Sequence, residues 1–227
     1  MALTATGLSA DIWSAFTDAF PTMATARREN LAAGVSLHRP MEEVVKAWSS
    51  AVVSNIVGLP CSGSAEVTCV LGAYTFPAPL PAIFPATSTF RAEFVAKLAS
   101  DLGWVGAAGN LTNLSLINSF SDYISNNAQL SSLVSVNSGA AVPVEITVSE
   151  VALTASIINS AVDNLLLTGY FYHKDIPAMG LSSELLNMIS SWSSLVPMLL
   201  KKSLTNVVVL PVGTNAAAAI SIAGVLI

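Results

Sequence analysis

Charged side chains are scarce in this chain of 227 residues. Asp, Glu, Lys and Arg make up 10% of it and hydrophobic residues make up 53%, whereas globular proteins usually carry roughly 25% charged residues. So few charges leave apolar surface open to other molecules. The composition is therefore typical of a membrane protein or of a subunit covered by other protein. The frequent Ser, Thr and Asn residues favour the second.

Basic clusters and histidines are also few. The net charge is −5, and the only adjacent basic pairs are Arg27–Arg28 and Lys201–Lys202. Nucleic-acid binding needs many more Lys and Arg on one surface, so nucleic acid is not an expected partner. Two histidines, His38 and His173, cannot form a histidine-rich metal cluster. We expect no metal and no other cofactor.

Cys61 and Cys69 are the only cysteines, too few for a disulfide scaffold and wrongly spaced for a zinc site. They can pair only if Cys61 lies in a turn that folds back on the strand containing Cys69. Two free, buried thiols are the favoured alternative. The first seven residues have neither the charged nor the apolar region of a secretory signal, so none is expected.

Catalytic motifs are missing from the chain. There is no Gly-x-Ser-x-Gly nucleophile turn, no Gly-x-x-x-x-Gly-Lys phosphate loop and no Gly-x-Gly-x-x-Gly after a strand. The glycines at 103–109 follow a helical pattern, which indicates a flexible turn. We therefore expect no enzymatic activity and no catalytic residue.

An aromatic residue followed by Ser recurs at intervals of 72 residues, as Trp48, Phe120 and Trp192. Apolar residues also occur four positions before and four positions after each one, namely Val44, Leu116, Met188, Val52, Ile124 and Val196. Residues four apart share a helix face, so the pattern predicts an internal repeat. We interpret the three aromatic residues as packing or interface anchors, and packing between the helices of each repeat is the favoured role.

The succession of helical, turn and alternating segments predicts an α+β fold of three degenerate helix–helix–strand units with short β elements. The expected boundaries are a first unit at 1–76, a second at 87–148, and a third at 149–227 that ends in a C-terminal β-hairpin. Between the first two, a Pro-rich connector spans 77–86, because its four prolines stiffen the backbone.

The C-terminal run of 25 uncharged residues after Lys202 is long enough to cross a bilayer. Its middle, however, contains Asn206, Pro211 and Asn215, which a spanning helix would have to accommodate in lipid. The β-branched residues on both sides favour a hairpin. Membrane contact is therefore not our expectation.

The repeated segment resembles a known class of protein. Residues 47–56, Ala-Trp-Ser-Ser-Ala-Val-Val-Ser-Asn-Ile, precede a Gly/Pro turn and a short strand that ends in glycine at 67–72, and a similar strand occurs at 220–224. This arrangement resembles small structural proteins of tailed bacteriophages. The resemblance implies a virion protein of the neck, tail, baseplate or capsid, assembled in the host cytoplasm with copies of itself and neighbouring virion proteins. It implies no catalytic or ligand-binding residue.

Two other functions fit the sequence. A membrane-associated or pore-forming protein would explain the apolar composition, and solubility without detergent would argue against it. A small-ligand-binding module could use the aromatic connector at 170–172. In the favoured structural role, the proline-rich stretch at 75–85 and the C-terminal strands are expected to contact neighbouring subunits, since exposed strand edges invite pairing.

Overall fold

The structure is a computed structural model, which describes residues 3–19, 39–69, 80–81, 91–103, 106–132, 141–147, 149–167, 183–200, 204–207 and 216–227. The helices are α1 (Ala5–Ala19), α2 (Arg39–Ile56), α3 (Arg91–Leu102), α4 (Gly106–Asn127), α5 (Glu150–Leu167) and α6 (Ser183–Leu200). The strands are β1 (Pro60–Cys69), β2 (Leu80–Pro81), β3 (Gln129–Ser132), β4 (Ala141–Ile146), β5 (Leu204–Val207) and β6 (Ala216–Leu226).

Hydroxyl side chains mark where two of the helices begin. Thr4 precedes α1, and its Oγ1 accepts a hydrogen bond from the Gly7 N–H at 3.1 Å. Ser149 precedes α5, and its Oγ accepts from the Ala152 N–H at 3.5 Å. Each contact satisfies a backbone donor that has no partner within the first turn. The cap at Thr4 explains why α1 begins at Ala5.

The helices form one ring around a common core. Around the ring the order is α1, α2, α5, α6, α3 and α4, and α4 packs against α1. Helices α2, α4 and α6 bury wide faces, whereas α1, α3 and α5 each bury one stripe of residues spaced by four. We refer to α2, α4 and α6 as the core helices and to α1, α3 and α5 as the outer helices.

The strands form one antiparallel sheet with the order β2-β3-β6-β1-β4-β5. One two-stranded ladder dominates it, since β1 and β6 pair from Pro60 with Val225 to Cys69 with Ala216. At the end of α2, the Gly58 N–H donates to the Leu226 carbonyl at 2.7 Å. Gly58 has φ 88°, a conformation that favours glycine and turns the chain from the helix into the ladder.

The predicted α+β fold of three helix–helix–strand units is wrong. The described residues are mostly helical, and helices from different predicted units pack into one core, with α1 between α2 and α4 and α5 between α2 and α6. The physical reason is that each core helix has apolar residues on more than one flank, which a single partner helix cannot cover. The unit boundaries stay predictions. Of the connector at 77–86, the structure describes only β2.

The two cysteines lie on the same strand, β1. They are eight positions apart, which in an extended strand is about 26 Å, far beyond the reach of a disulfide. Cys61 is a free, buried thiol. Burial raises the pKa of the Cys61 thiol to about 11, so it stays protonated and unreactive at neutral pH.

Gly7 lies where α1 meets α4. The Tyr123 hydroxyl accepts a hydrogen bond from the Thr4 N–H at 2.9 Å and lies 2.9 Å from the Thr4 carbonyl, to which it donates. A Cβ atom at Gly7 would lie only 2.5 Å from the Tyr123 Oη and 2.9 Å from the Thr4 Oγ1. Tyr123 cannot retreat without breaking these bonds.

Gly7→Ala is therefore expected to destabilise the protein, although alanine is usually favoured in a helix by about 1 kcal/mol. Overpacking typically costs about 1–3 kcal/mol, and here we expect it to dominate. Urea denaturation measures the change in the free energy of unfolding. The control is Ser100→Ala at an exposed position of α3, where the change should stay within about 0.5 kcal/mol. A more stable Gly7→Ala variant would contradict this packing.

Candidate functional site

The three aromatic residues of the sequence repeat meet in the core. Trp48, Phe120 and Trp192 are all buried. The Trp48 ring centroid lies 5.6 Å from that of Phe120 and 5.6 Å from that of Trp192, both edge to face, a geometry that aromatic pairs favour. The Phe16 ring of α1 lies 6.1 Å from Trp192. These residues thus join the core helices to one another, and their side chains do not reach the protein surface.

The buried face repeats with the aromatic residues. Positions four before, three before, one after, four after and eight after the aromatic residue are buried in all three repeats. In order, these are Val44, Leu116, Met188; Val45, Ile117, Ile189; Ser49, Ser121, Ser193; Val52, Ile124, Val196; and Ile56, Ala128, Leu200. The buried pattern is therefore shared at more positions than the two, four before and four after the aromatic residue, that the sequence repeat showed.

The buried serines of this pattern have different hydrogen bonding. The Trp48 Nε1–H donates to the Ser193 Oγ at 3.2 Å, and the Ser193 hydroxyl donates to the Ile189 carbonyl at 2.6 Å. Ser49 Oγ has no hydrogen-bond partner in the described part of the chain. The residue of α4 that matches Trp48 is Phe120. Its ring has no N–H, so it cannot donate a hydrogen bond to a serine as Trp48 does.

The two serines are therefore expected to respond in opposite ways to alanine. Ser193→Ala leaves the buried Trp48 N–H without an acceptor and should cost about 1–3 kcal/mol. Ser49→Ala removes a hydroxyl that has no partner and should be neutral or slightly stabilising. Thermal and urea unfolding of the two single variants measure this contrast. Equal destabilisation by both would show that Ser49 makes a hydrogen bond.

Helix α5 has the most apolar exposed surface. Val151 is 79% exposed and Leu167 is 84% exposed, and Leu166 is also exposed. On the outer helices α1 and α3, no large hydrophobic side chain among the described residues is exposed. Their outward positions include Asp11, Asp18, Arg91 and Glu93. The surface of α5 is thus unlike that of the two helices that occupy comparable places in the ring.

By length and composition, residues 150–167 form the one described helix that could cross a membrane, and 22% of this stretch is buried. Polar contacts fix one side of the helix to α2. The Asn55 Nδ2 donates to the Ser160 Oγ at 3.1 Å, and the Asn164 Nδ2 donates to the Ala47 carbonyl at 3.3 Å. These contacts orient α5, so that Leu153, Ile157, Ala161 and Leu165 face the core while Val151 and Leu167 stay exposed.

An open groove of about 620 Å³ lies beside α5, between this helix, α6 and α3. Val151, Ile158, Pro197 and Met198 provide apolar lining, while Lys97 and Glu150 are its charged lining residues. Helix α3, which borders the groove, is shorter than α5, with 12 residues compared with 18. Apolar walls and few polar groups suit an apolar side chain better than a charged ligand.

A polar contact holds α3 to α6 beside this groove. The Lys97 Nζ lies 2.8 Å from the Asp101 Oδ2, and the Ser191 Oγ donates to the same oxygen at 3.0 Å. The hydrogen bond from Lys97 lowers the pKa of the Asp101 carboxyl most, and the Ser191 hydrogen bond also lowers it. Lys97, one of the two charged residues that line the groove in the described part of the chain, is thus paired with Asp101.

The C-terminal strand β6 pairs with β1 along residues 216–225. On its other side it pairs with β3 at residues 224–226. The outermost strands of the described sheet are β2 and β5. The described parts of the C-terminal run, β5 and β6, are strands and not a membrane-spanning helix.

Several residues considered from the sequence lie outside the described residues. They are His38, His173, the aromatic connector at 170–172 and most of the connector at 77–86. Among the residues that are described, no group of three or more His, Cys, Asp or Glu side chains could hold a metal ion. No protein-family model, no curated protein and no solved structure matches the chain.

Proposed function

We propose that the chain is a structural subunit, a virion protein of a tailed phage that assembles by packing against copies of itself and neighbouring virion proteins. The neck, tail, baseplate or capsid is its proposed location, and assembly takes place in the host cytoplasm. The observation that carries this proposal is the exposure of large apolar side chains on α5, where Val151 is 79% and Leu167 is 84% exposed. Exposed apolar side chains of this kind support a role in protein–protein contact.

Composition and resemblance support the same role. Charge makes up only 10% of the chain, and interface cores are depleted in charged residues. The repeated aromatic helix, with its turn and short strand, resembles phage structural proteins. Together these features favour a part of an assembly over a catalyst, and we propose no enzymatic activity.

The test is the protein composition of virions from the source of this gene. Particles purified by density gradient and washed in high salt should retain the chain at a fixed ratio to the major capsid protein, as measured by quantitative mass spectrometry. Antibodies against the chain should label one region of the particle in electron micrographs. A chain that stays in the soluble lysate and is missing from washed particles would contradict the proposal.

A membrane-associated protein is the second candidate, because α5 meets the length and composition of a spanning helix. Polar groups argue against it, since Ser160 and Asn164 fix one side of α5 to α2. The two candidates differ in their behaviour without detergent. Recovery of the chain in a high-speed membrane pellet that only detergent dissolves would favour the membrane.

A further inference from the structure

We infer that β2 and β5, the outermost strands of the described sheet, pair with each other within one chain. Their pairing closes the six strands into a barrel and leaves no described strand edge open to a neighbouring subunit. Closure into a barrel removes the free edges at which other chains add strands. This pairing concerns a single chain and goes beyond the proposed function. It replaces the expectation that these strands contact neighbouring subunits.

The order of the strands follows a rule that leaves one pair to be filled. β1, β3 and β5 each follow a core helix along the chain, and in the sheet they alternate with β2, β4 and β6. Both β1 and β3 pair with the two strands of the second set that do not come next in the chain, since β1 lies between β4 and β6, and β3 lies between β2 and β6. The next strand after β5 is β6. By the same rule β5 pairs with β4, as observed, and with β2.

The 72-residue recurrence of the core helices gives the register of this pair. Ser132 of β3 lies opposite Gly224 of β6. The residue 72 positions after Ser132 is Leu204, and the residue 144 positions before Gly224 is Leu80. Leu204 lies in β5 and Leu80 lies in β2, the two strands that the order of the sheet leaves to be paired. The recurrence therefore predicts that Leu80 lies opposite Leu204.

The hydrogen-bond directions of both strands agree with this register. Pro81 has no N–H, so Leu80 is the residue of β2 that exchanges hydrogen bonds with β3. Pro143 has no N–H either, so Leu204 exchanges hydrogen bonds with Val144 of β4. Because backbone groups alternate in direction, the residues next to Leu80 and next to Leu204 point to the outer sides of their strands. With Leu80 opposite Leu204, these outward groups face one another, whereas a shift by one residue would separate them.

The proline in β2 does not prevent this pairing, because its carbonyl can still accept a hydrogen bond. The structure contains such a contact where β1 meets β4. The Thr147 N–H donates to the Pro60 carbonyl at 3.0 Å, and Cys61 lies opposite Ile146 directly beside it. An edge that lacks donors binds a strand of another chain poorly. A strand of the same chain is held nearby, so fewer hydrogen bonds suffice.

Disulfide formation between the two strands is the first test. The variant carries Leu80→Cys and Leu204→Cys, together with Cys69→Ser, while Cys61 is buried and its thiol stays protonated. Directly opposite residues of a non-hydrogen-bonded pair have Cα atoms about 4.5 Å apart, within the range of a disulfide. We expect mild oxidation to link most chains internally, as measured by non-reducing electrophoresis and by the mass of the linked peptides.

A second variant, Leu80→Cys with Asn206→Cys, tests the register shifted by two residues, the smallest shift that keeps the hydrogen-bond directions. It is needed because the recurrence is less exact in the strands than in the helices. The shift that relates Ser132–Gly224 to Leu204–Leu80, applied to the observed pair Cys61–Gly224, puts residue 133 opposite Leu80, where the structure has Leu130.

Two further cysteine pairs are the matched controls. Val144→Cys with Leu204→Cys joins residues that lie opposite each other in the structure and should form a disulfide. Leu80→Cys with Val144→Cys should not, because two strand spacings of about 4.8 Å separate these positions in a closed barrel. If the first control forms its disulfide and neither Leu80–β5 pair does, the inference is wrong. Disulfides between two chains would also overturn it, because these edges would then pair between subunits.

Amide hydrogen exchange in the unmodified chain is an independent test. Leu204 and Asn206 direct their N–H groups to β4, whereas the Thr205 N–H points to the side that β2 occupies in a closed barrel. We expect the Thr205 amide to exchange at least about tenfold more slowly than an unprotected amide. Rapid exchange at Thr205 with protection at Leu204 would show an open edge and contradict the closure. Retention of the chain in washed virions would be unaffected by that result, so the proposed function is tested separately.

Discussion

Replacing Trp192 with alanine is expected to lower the free energy of unfolding by about 3–5 kcal/mol, the range for truncation of a buried aromatic residue. Trp192 is fully buried, and its ring contacts those of Phe16 and Trp48. The truncation leaves a cavity where an outer helix and two core helices meet. Since domains are typically stable by about 5–15 kcal/mol, this is a large share of the total. Guanidinium denaturation followed by circular dichroism measures it.

Phenylalanine substitutions provide the matched controls. The Trp192 Nε1 has no hydrogen-bond partner in the described part of the chain, so Trp192→Phe loses some packing volume and no hydrogen bond. Trp48→Phe also removes the hydrogen bond to Ser193 and should cost about 1 kcal/mol more. Unchanged unfolding of Trp192→Ala together with lost assembly would instead make Trp192 an interface residue.

Asn113→Leu is expected to raise the free energy of unfolding by about 1–3 kcal/mol. Asn113 is fully buried on α4, and neither its Nδ2 nor its Oδ1 has a hydrogen-bond partner in the described residues. A buried polar group without a partner costs about 1–3 kcal/mol. The chain itself indicates the replacement, because the positions 72 residues away are Met41 and Leu185, both packed against the core.

Asn55→Leu is the control for this substitution. The Asn55 Nδ2 donates to the Ala51 carbonyl at 2.8 Å and to the Ser160 Oγ at 3.1 Å, so its loss should destabilise the protein. Urea denaturation should therefore show a higher free energy of unfolding for Asn113→Leu and a lower one for Asn55→Leu. A destabilised Asn113→Leu variant would show that the Asn113 amide is satisfied in the native protein, for example by an internal water molecule.

Helix positions were largely predictable from the sequence, because apolar residues recur with the helical period. The pattern predicts a helix from Pro40 to about Val57 and another at 149–167, and the structure has α2 at Arg39–Ile56 and α5 at Glu150–Leu167. These local signals depend only on residues three and four apart. The 72-residue recurrence of Trp48, Phe120 and Trp192 likewise located the core helices.

The arrangement of these elements was not predictable, because it depends on contacts between distant parts of the chain. Residues 61–64 suggest a turn, yet they lie in β1, where pairing with β6 outweighs the low strand preference of Gly63. Helix α1 packs against α4 and not only against the helix that follows it. The local sequence of β1 does not specify pairing with β6, and that of α1 does not specify packing against α4.

The candidate surface was missed for a related reason. The sequence of α5 is apolar enough to suggest a helix buried on most sides, and only the packing shows which side remains open. Its buried stripe is Leu153, Ile157, Ala161 and Leu165, whereas Val151 and Leu167 point away. Comparison with α1 and α3 then shows that, among the described residues of the outer helices, only α5 exposes large apolar side chains.

The pairing of β1 with β6 also has a consequence for biosynthesis. Residues 60–69 leave the ribosome long before residues 216–226, with which they pair. Until then β1 has an open edge, and a contact between such distant segments slows folding. A nascent chain stalled before residue 216 would expose this edge to other chains, so chaperone dependence and aggregation should be greatest for translation products that stop just short of β6.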